Sequence, residues 1–126
     1  MPLTTKNQLT ITGVPDLNAK RFTINIGLGE QDYALHFDVR FDHQGDHRTI
    51  VLNSKHNGKF NSEKKEKHFF FQETREFKVT ITFTHDEFQV KIPDDYPVSF
   101  PNSFGEDEFK FIQVHGDLRI KSFNID

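Results

Sequence analysis

In the segment ALHFDVRF, three side chains able to do chemistry stand two residues apart: His36, Asp38 and Arg40. In an extended strand, residues two apart share a face. An imidazole, a carboxylate and a guanidinium therefore line up together while Leu35, Phe37, Val39 and Phe41 enter a core on the other side. Downstream, Asn53 follows an apolar run, and Phe60, Glu63 and Lys65 lie in a polar segment marked by Gly58. A row of fixed hydrogen-bonding groups beside one aromatic ring suits a sugar. Its hydroxyls need directional donors and acceptors, and its C–H face needs a flat apolar surface. By spacing alone, alternating polar residues are more often a solvated strand face, and an Asp between two cations a surface ion pair of small consequence.

The elements that must position these groups are strands. Gln8–Gly13 places Leu9 and Ile11 on one face. Lys20–Leu28 alternates Phe22, Ile24 and Ile26 against Arg21, Thr23 and Asn25, and Tyr33–Phe41 is the central strand. Asp42–Asp46 reads as a polar connection, and Arg48–Asn53 sets Ile50 and Leu52 against Val51 and Asn53. Asn57-Gly58 is the strongest hairpin-turn dipeptide in the chain. Lys64–Lys67 reads as a solvated charge cluster. Glu76–Phe83 turns Phe77, Val79, Ile81 and Phe83 inward, with Phe88, Val90 and Ile92 on the return strand. Tyr96–Phe100, Phe109–Val114 and a final segment bearing Leu118, Ile120, Phe123 and Ile125 complete the chain. Roughly ten or eleven short strands with regular turn signals, and no helical periodicity, give an all-β antiparallel sandwich. The 126 residues suffice for one domain, and 15 Phe supply its interior.

The stretch from His36 to Lys65 resembles the galectins. Their strand pattern His-x-Asn-x-Arg-Phe reads here as His36-Phe37-Asp38-Val39-Arg40-Phe41. The Asn that follows their Val-x pair is matched in Val51-Leu52-Asn53, and their Trp-x-x-Glu-x-Arg register gives Phe60, Glu63 and Lys65. The resemblance implies a two-sheet jelly-roll-like sandwich of galectin or legume-lectin type, with residues 1–126 forming one carbohydrate-recognition domain. It implies a lectin without enzymatic activity and without a cofactor. His36 and Arg40 would meet the axial hydroxyl of a galactose, and Asn53 and Glu63 its neighbouring oxygens. It also implies a homodimer paired through terminal strands, cross-linking glycans on its partners. The expected location is cytoplasmic, or extracellular by export without a signal peptide. Three positions depart from the pattern. Asp38 only accepts where Asn also donates, and a carboxylate there attracts Arg40 and Lys65. Phe60 offers less stacking area than Trp and no N–H, and Lys65 lacks the planar fork that orients Glu63. Together they imply weaker or retuned recognition of β-galactosides. A structural or lens-type relative with a decayed site is the alternative.

Other chemistries fit poorly. His43 and His47 stand four apart in a turn-rich segment, the other histidines show no ligand spacing, and there is no Cys, so no metal site is expected. Asp38 and Glu63 could in principle face each other as glycosidase carboxyls, but in the family this face binds without chemistry. A net charge of −3 argues against phosphate-neutralising contact with nucleic acid. No apolar run approaches membrane-spanning length.

Overall fold

The computed structural model describes residues 1–126 and contains strands but no helix. Thirteen strands appear in chain order: β1 (Leu3–Thr4), β2 (Leu9–Pro15), β3 (Arg21–Gly29), β4 (Asp32–His43), β5 (Asp46–His56), β6 (Lys59–Phe60), β7 (Lys64–Glu66), β8 (Phe77–Phe83), β9 (Glu87–Ile92), β10 (Tyr96–Pro101), β11 (Glu108–Phe109), β12 (Phe111–Gly116) and β13 (Leu118–Ile125). Four of the thirteen are pieces of two or three residues, β1, β6, β7 and β11, and they more than account for the number above that expected. Such short strands have too few side chains to display a period.

Two antiparallel sheets face each other. One runs β10-β9-β8-β2-β13. The other runs β12-β3-β4-β5-β6, with β7 also pairing β5. Between them lies a cluster of 26 buried residues, in which Phe22, Ile24, Phe37 and Val39 of the second sheet meet Ile11, Val79, Ile81 and Val90 of the first. The expected inward sets on β2, β3, β4, β8 and β9 are all buried, as alternation requires when one face of each strand is covered. Several Phe rings meet edge-on or stacked, among them Phe22 on Phe77 at 5.1 Å between centroids.

Turn chemistry fixes the register of the strands that carry the polar row. Gln44-Gly45 joins β4 to β5, and Asn57-Gly58 joins β5 to β6, with positive φ at all four residues. This is the two-residue hairpin geometry that follows strand twist. In the β3–β4 hairpin the register shifts around Gly27, where a Cβ would collide with the Asp32 carbonyl.

One expectation is corrected. Lys64–Glu66 is a strand, β7, pairing Ile50↔Glu66, Val51↔Lys65 and Leu52↔Lys64. Its composition reads as loop because its side chains stay largely exposed, but its backbone completes the edge of the sheet beside β5.

Candidate functional site

The polar row on β4 belongs to a larger polar face. Cross-strand register puts Arg21 opposite Arg40, Thr23 opposite Asp38 and Asn25 opposite His36. On the other side it puts Asn53 opposite His36, Val51 opposite Asp38 and Thr49 opposite Arg40. Residues directly opposite in an antiparallel pair share a face. Three adjacent strands thus present one continuous set of side chains away from the core. This face is not the solvated surface that alternation suggests. His36, Asp38, Arg40, Thr49 and Asn53 are all buried, because each fills the space beside the next and hydrogen bonds join most of them to neighbours.

Asp38 is the hub. Its Oδ1 accepts from Arg21 Nε at 3.0 Å, and its Oδ2 from Arg21 Nη2 at 3.1 Å and Arg40 Nε at 2.8 Å. His36 Nε2 stands 3.7 Å from Oδ2. Burial by itself raises the Asp38 carboxyl. The polar contacts of His36 and Arg40 and the charge of Arg21 outweigh it and hold the group at about 2. Arg40 also donates from Nη1 to Asp46 Oδ2 at 2.8 Å, and Lys65 Nζ donates to Asp46 Oδ1 at 2.9 Å. The hydrogen bond from Lys65, and then Arg40, lower the Asp46 carboxyl. Burial opposes the charge on Arg40, but its two carboxylate partners raise its guanidinium all the same. The result is a fixed chain of charges, Arg21–Asp38–Arg40–Asp46–Lys65, in which two guanidiniums that would repel across the strands are held by a carboxylate between them.

This wiring makes stability depend on acid. A folded-state carboxyl at about 2, against an ordinary 3.8, binds protons less readily than in the unfolded chain. Its contribution is present above about pH 4 and is lost as pH falls through 2. We expect urea denaturation at stepped pH to show a decline of about 2 kcal/mol over that interval from this group. The Asp38→Asn variant lacks that part of the slope.

Above the charge chain lies a cleft of about 260 Å³. His36, Arg40, Asn53, Phe60 and Glu63 line it, together with Arg21, His43 and Gln44. His36 Nδ1 meets Asn25 Oδ1 at 2.6 Å, and Asn25 Nδ2 donates in turn to Gln113 Oε1 at 3.0 Å. That chain orients the amide as acceptor and makes Nδ1 the donor. Nε2, on the far side of the ring, faces Asp38 Oδ2 at 3.7 Å. The imidazole stacks on Tyr33 (centroids 5.9 Å, planes 8° apart), with Phe60 at 4.9 Å on a tilt. Phe60 is half exposed, and Lys55 Nζ sits 5.2 Å from its centroid. Arg40 Nη2 and the Glu63 carboxylate have no hydrogen-bond partner in the chain, so donors and acceptors remain beside an accessible ring.

The sequence pattern of the family described as galactoside-binding lectin matches residues 1–125. The chain belongs to the galectins. A beta-galactoside-binding lectin of Electrophorus electricus is 37% identical over 117 residues, covering 93% of this chain and 86% of that protein. Lactose- and MES-liganded congerin II superposes with a TM-score of 0.96 at 34% identity, covering 100% of this chain and 95% of that one. CG-16, a homodimeric agglutinin from chicken liver, superposes with a TM-score of 0.95 at 30% identity over 100% and 95% of the two chains.

Within this galectin the positions singled out from the sequence separate into two layers. His36, Arg40, Asn53, Phe60 and Glu63 converge on the cleft, whereas Asp38 lies fully buried beneath it and Lys65 is turned to Asp46. Lys65 therefore pairs neither with Glu63, as the family register implies, nor with Asp38, as a carboxylate in place of the family's Asn suggests. A single ammonium goes to the nearest buried carboxylate, and Asp46 is that group. Asn53 is more committed than expected, donating from Nδ2 to the Asn61 carbonyl at 3.0 Å while its Oδ1 accepts from the Ser54 amide at 2.8 Å. It holds the loop that carries Phe60 and Glu63.

Arg21, His43 and Asp46 were missed by sequence reasoning. Arg21 stood on the polar side of its strand, and pairing Lys20–Leu28 with Tyr33–Phe41 as a hairpin would have placed it beside Arg40. Asp46 closes a two-residue turn, and its reach back to Arg40 leaves no local trace in the sequence. His43 Nε2 lies 3.1 Å from Arg21 Nη1. Burial first, then Arg21 and Arg40, hold the His43 ring below its ordinary value, consistent with a neutral imidazole accepting from Arg21.

Proposed function

We propose that residues 1–126 act as one carbohydrate-recognition domain that binds β-galactoside-type glycans without chemical turnover and cross-links them as a homodimer. The observation that carries the reading is the prepared cleft. An exposed Phe60 ring stands within 4.9 Å of an oriented His36 and beside unengaged atoms of Arg40 and Glu63. A hexose lays its C–H face on Phe60. Its hydroxyls donate to Glu63, accept from Arg40 Nη2 and meet the edge of the His36 ring. Asn53 shapes the rim, while Asp38 and Lys65 act from below by fixing Arg40 and Asp46. The named relatives support the sugar class, as a beta-galactoside-binding lectin and a lactose-liganded structure. Titration calorimetry with lactose tests it: a saturable one-to-one isotherm per chain is expected. Absence of heat with lactose, and of any hit on a glycan array, would leave the structural-relative reading in its place. That alternative draws on one feature, the engagement of Arg40 on two carboxylates, which leaves less of it for a ligand.

The terminal strand supports the dimer. β13 is an edge that pairs only β2, and Ile120 and Phe123 lie opposite Gly13 and Ile11 on the sheet's inner side. Leu118 and Ile125 are partly covered by the core, yet Ile120 and Phe123 remain 45% and 42% exposed at the sandwich's open margin. A second copy applied to this edge buries both and pairs the free backbone. Sedimentation equilibrium at micromolar concentration is expected to give twice the chain mass, and Phe123→Glu to give monomer with lactose affinity unchanged. A wild-type monomer throughout would remove cross-linking through this edge.

A further inference from the structure

Only three of the chain's Phe rings are among its exposed large hydrophobic side chains: Phe60 in the cleft, Phe123 on the terminal strand, and Phe70. Phe70, 55% exposed, lies in the crossing between β7 and β8 that takes the chain from one sheet to the other. Its neighbours Phe69 and Phe71 are both in the core, so the backbone around it is anchored. The ring is also braced. It sits 4.5 Å from His68, which stacks on Tyr96 at 3.7 Å with planes 9° apart. Beside it opens a second concavity of about 230 Å³, close in size to the cleft, bounded by Phe70, Gln72, Arg75, Glu76, Phe77 and Pro93.

The functional groups here repeat those of the cleft: an exposed aromatic ring, a guanidinium, a carboxylate and an amide. The Arg75 guanidinium and the Gln72 amide make no hydrogen bond or ion pair within the chain, and Glu76 makes a single ion pair, with Lys121 at 3.2 Å, between side chains that are both about half exposed. Donors and acceptors therefore surround the ring without being spent on the fold. A carboxylate beside the guanidinium disfavours an anionic ligand, whereas a pyranoside uses both, donating hydroxyls to Glu76 and accepting from Arg75 and Gln72. The hydrophobic floor supplied by Phe70 and Pro93 suits its C–H face. We propose that this concavity is a second, weaker saccharide site for a neutral hexopyranoside, on the crossing segment rather than on the sheet that carries the cleft. One chain would then hold two glycans, and cross-linking would not depend wholly on the dimer.

The test uses the full chain, labelled with ¹⁵N and saturated with lactose, so that the cleft is occupied. Methyl β-galactoside, methyl α-mannoside and methyl α-glucoside are titrated in turn. At least one is expected to give saturable shifts at residues 68–76, including the Gln72 side-chain amide. Those shifts should vanish in Phe70→Ala, and in Arg75→Ala the affinity should fall by at least about tenfold. Lactose binding stays unchanged in both variants. Should lactose itself fail to bind, the glycosides are titrated alone, and the same shifts would uphold this site independently of the cleft. No shift at 68–76 with any of the three glycosides, or shifts that persist in both variants, would overturn it.

Discussion

Arg40→Ala is expected to lower lactose affinity beyond the reach of calorimetry and to destabilise the fold by about 3–5 kcal/mol, as for other buried pairs broken on one side. Both losses come from one side chain because Arg40 belongs to both layers of the site. Through Nη2 it offers a charged donor to the cleft, and losing such a group at a ligand contact costs about 1.5–3 kcal/mol. Through Nε and Nη1 it bonds Asp38 and Asp46 at 2.8 Å each, and both carboxylates are buried. Its removal leaves Asp38 to Arg21 and the longer contact of His36, and Asp46 to Lys65 alone. A site residue whose loss spared stability would have to stand clear of this chain of charges, and Arg40 does not. Arg40→Lys separates the two roles. An ammonium can satisfy one carboxylate but not bridge both, so the variant should fold with an intermediate loss and still bind poorly. Urea denaturation read beside titration calorimetry checks both arms. Retained lactose binding in Arg40→Ala would place the sugar elsewhere on the molecule.

Much of this arrangement was legible before the structure, and the illegible part has a physical character. Period-two alternation declared the buried sides of β2, β3, β4, β8 and β9, because on those strands one face is wholly covered and a one-residue slip would invert it. The Asn57-Gly58 turn was readable for the same local reason. The family register named His36, Arg40, Asn53, Phe60 and Glu63 of the cleft lining, but not Arg21, His43 or Gln44. It did not reveal that the polar face is itself buried, since alternation separates two sides of a strand without saying what covers either. Nor did it assign partners. Lys65 on β7 finds Asp46 at the start of β5, and Arg21 on β3 finds Asp38 on β4, and both pairings depend on register between strands. Lys-Lys-Glu reads as loop because it resembles a solvated tract, while the contribution of β7 is made by backbone groups that composition does not report. The terminal apolar residues divided as edge geometry requires, Leu118 and Ile125 against the core and Ile120 and Phe123 outside it.

Asp38→Asn puts the departure from the family pattern to the sharpest test. If the carboxylate merely ties Arg40 away from a galactoside, the amide should free it and tighten lactose binding about tenfold, through a restored donor and a removed competitor each worth on the order of 1 kcal/mol. The geometry favours the opposite result. Asp38 is wholly buried below the cleft and takes Arg40 by Nε, leaving Nη2 available to a ligand. It positions the guanidinium rather than withholding it. An amide in its place has one acceptor oxygen for three N–H donors, and its NH₂ would point at groups that are themselves donors. It also removes the negative charge between Arg21 and Arg40, which lie directly opposite each other on β3 and β4. We therefore expect Asp38→Asn to weaken lactose binding by about tenfold and to cost about 3 kcal/mol of stability at neutral pH, at the lower end for a broken buried pair because Arg40 keeps Asp46. A double-mutant cycle locates the cause. In an Arg21→Ala background the guanidinium repulsion is absent, so Asp38→Asn should cost measurably less stability than in the wild type, a coupling that independent sites would not show. Tightened lactose binding in the single variant would instead mean that the carboxylate competes with the ligand, and that this galectin carries a galactoside site blunted by one residue.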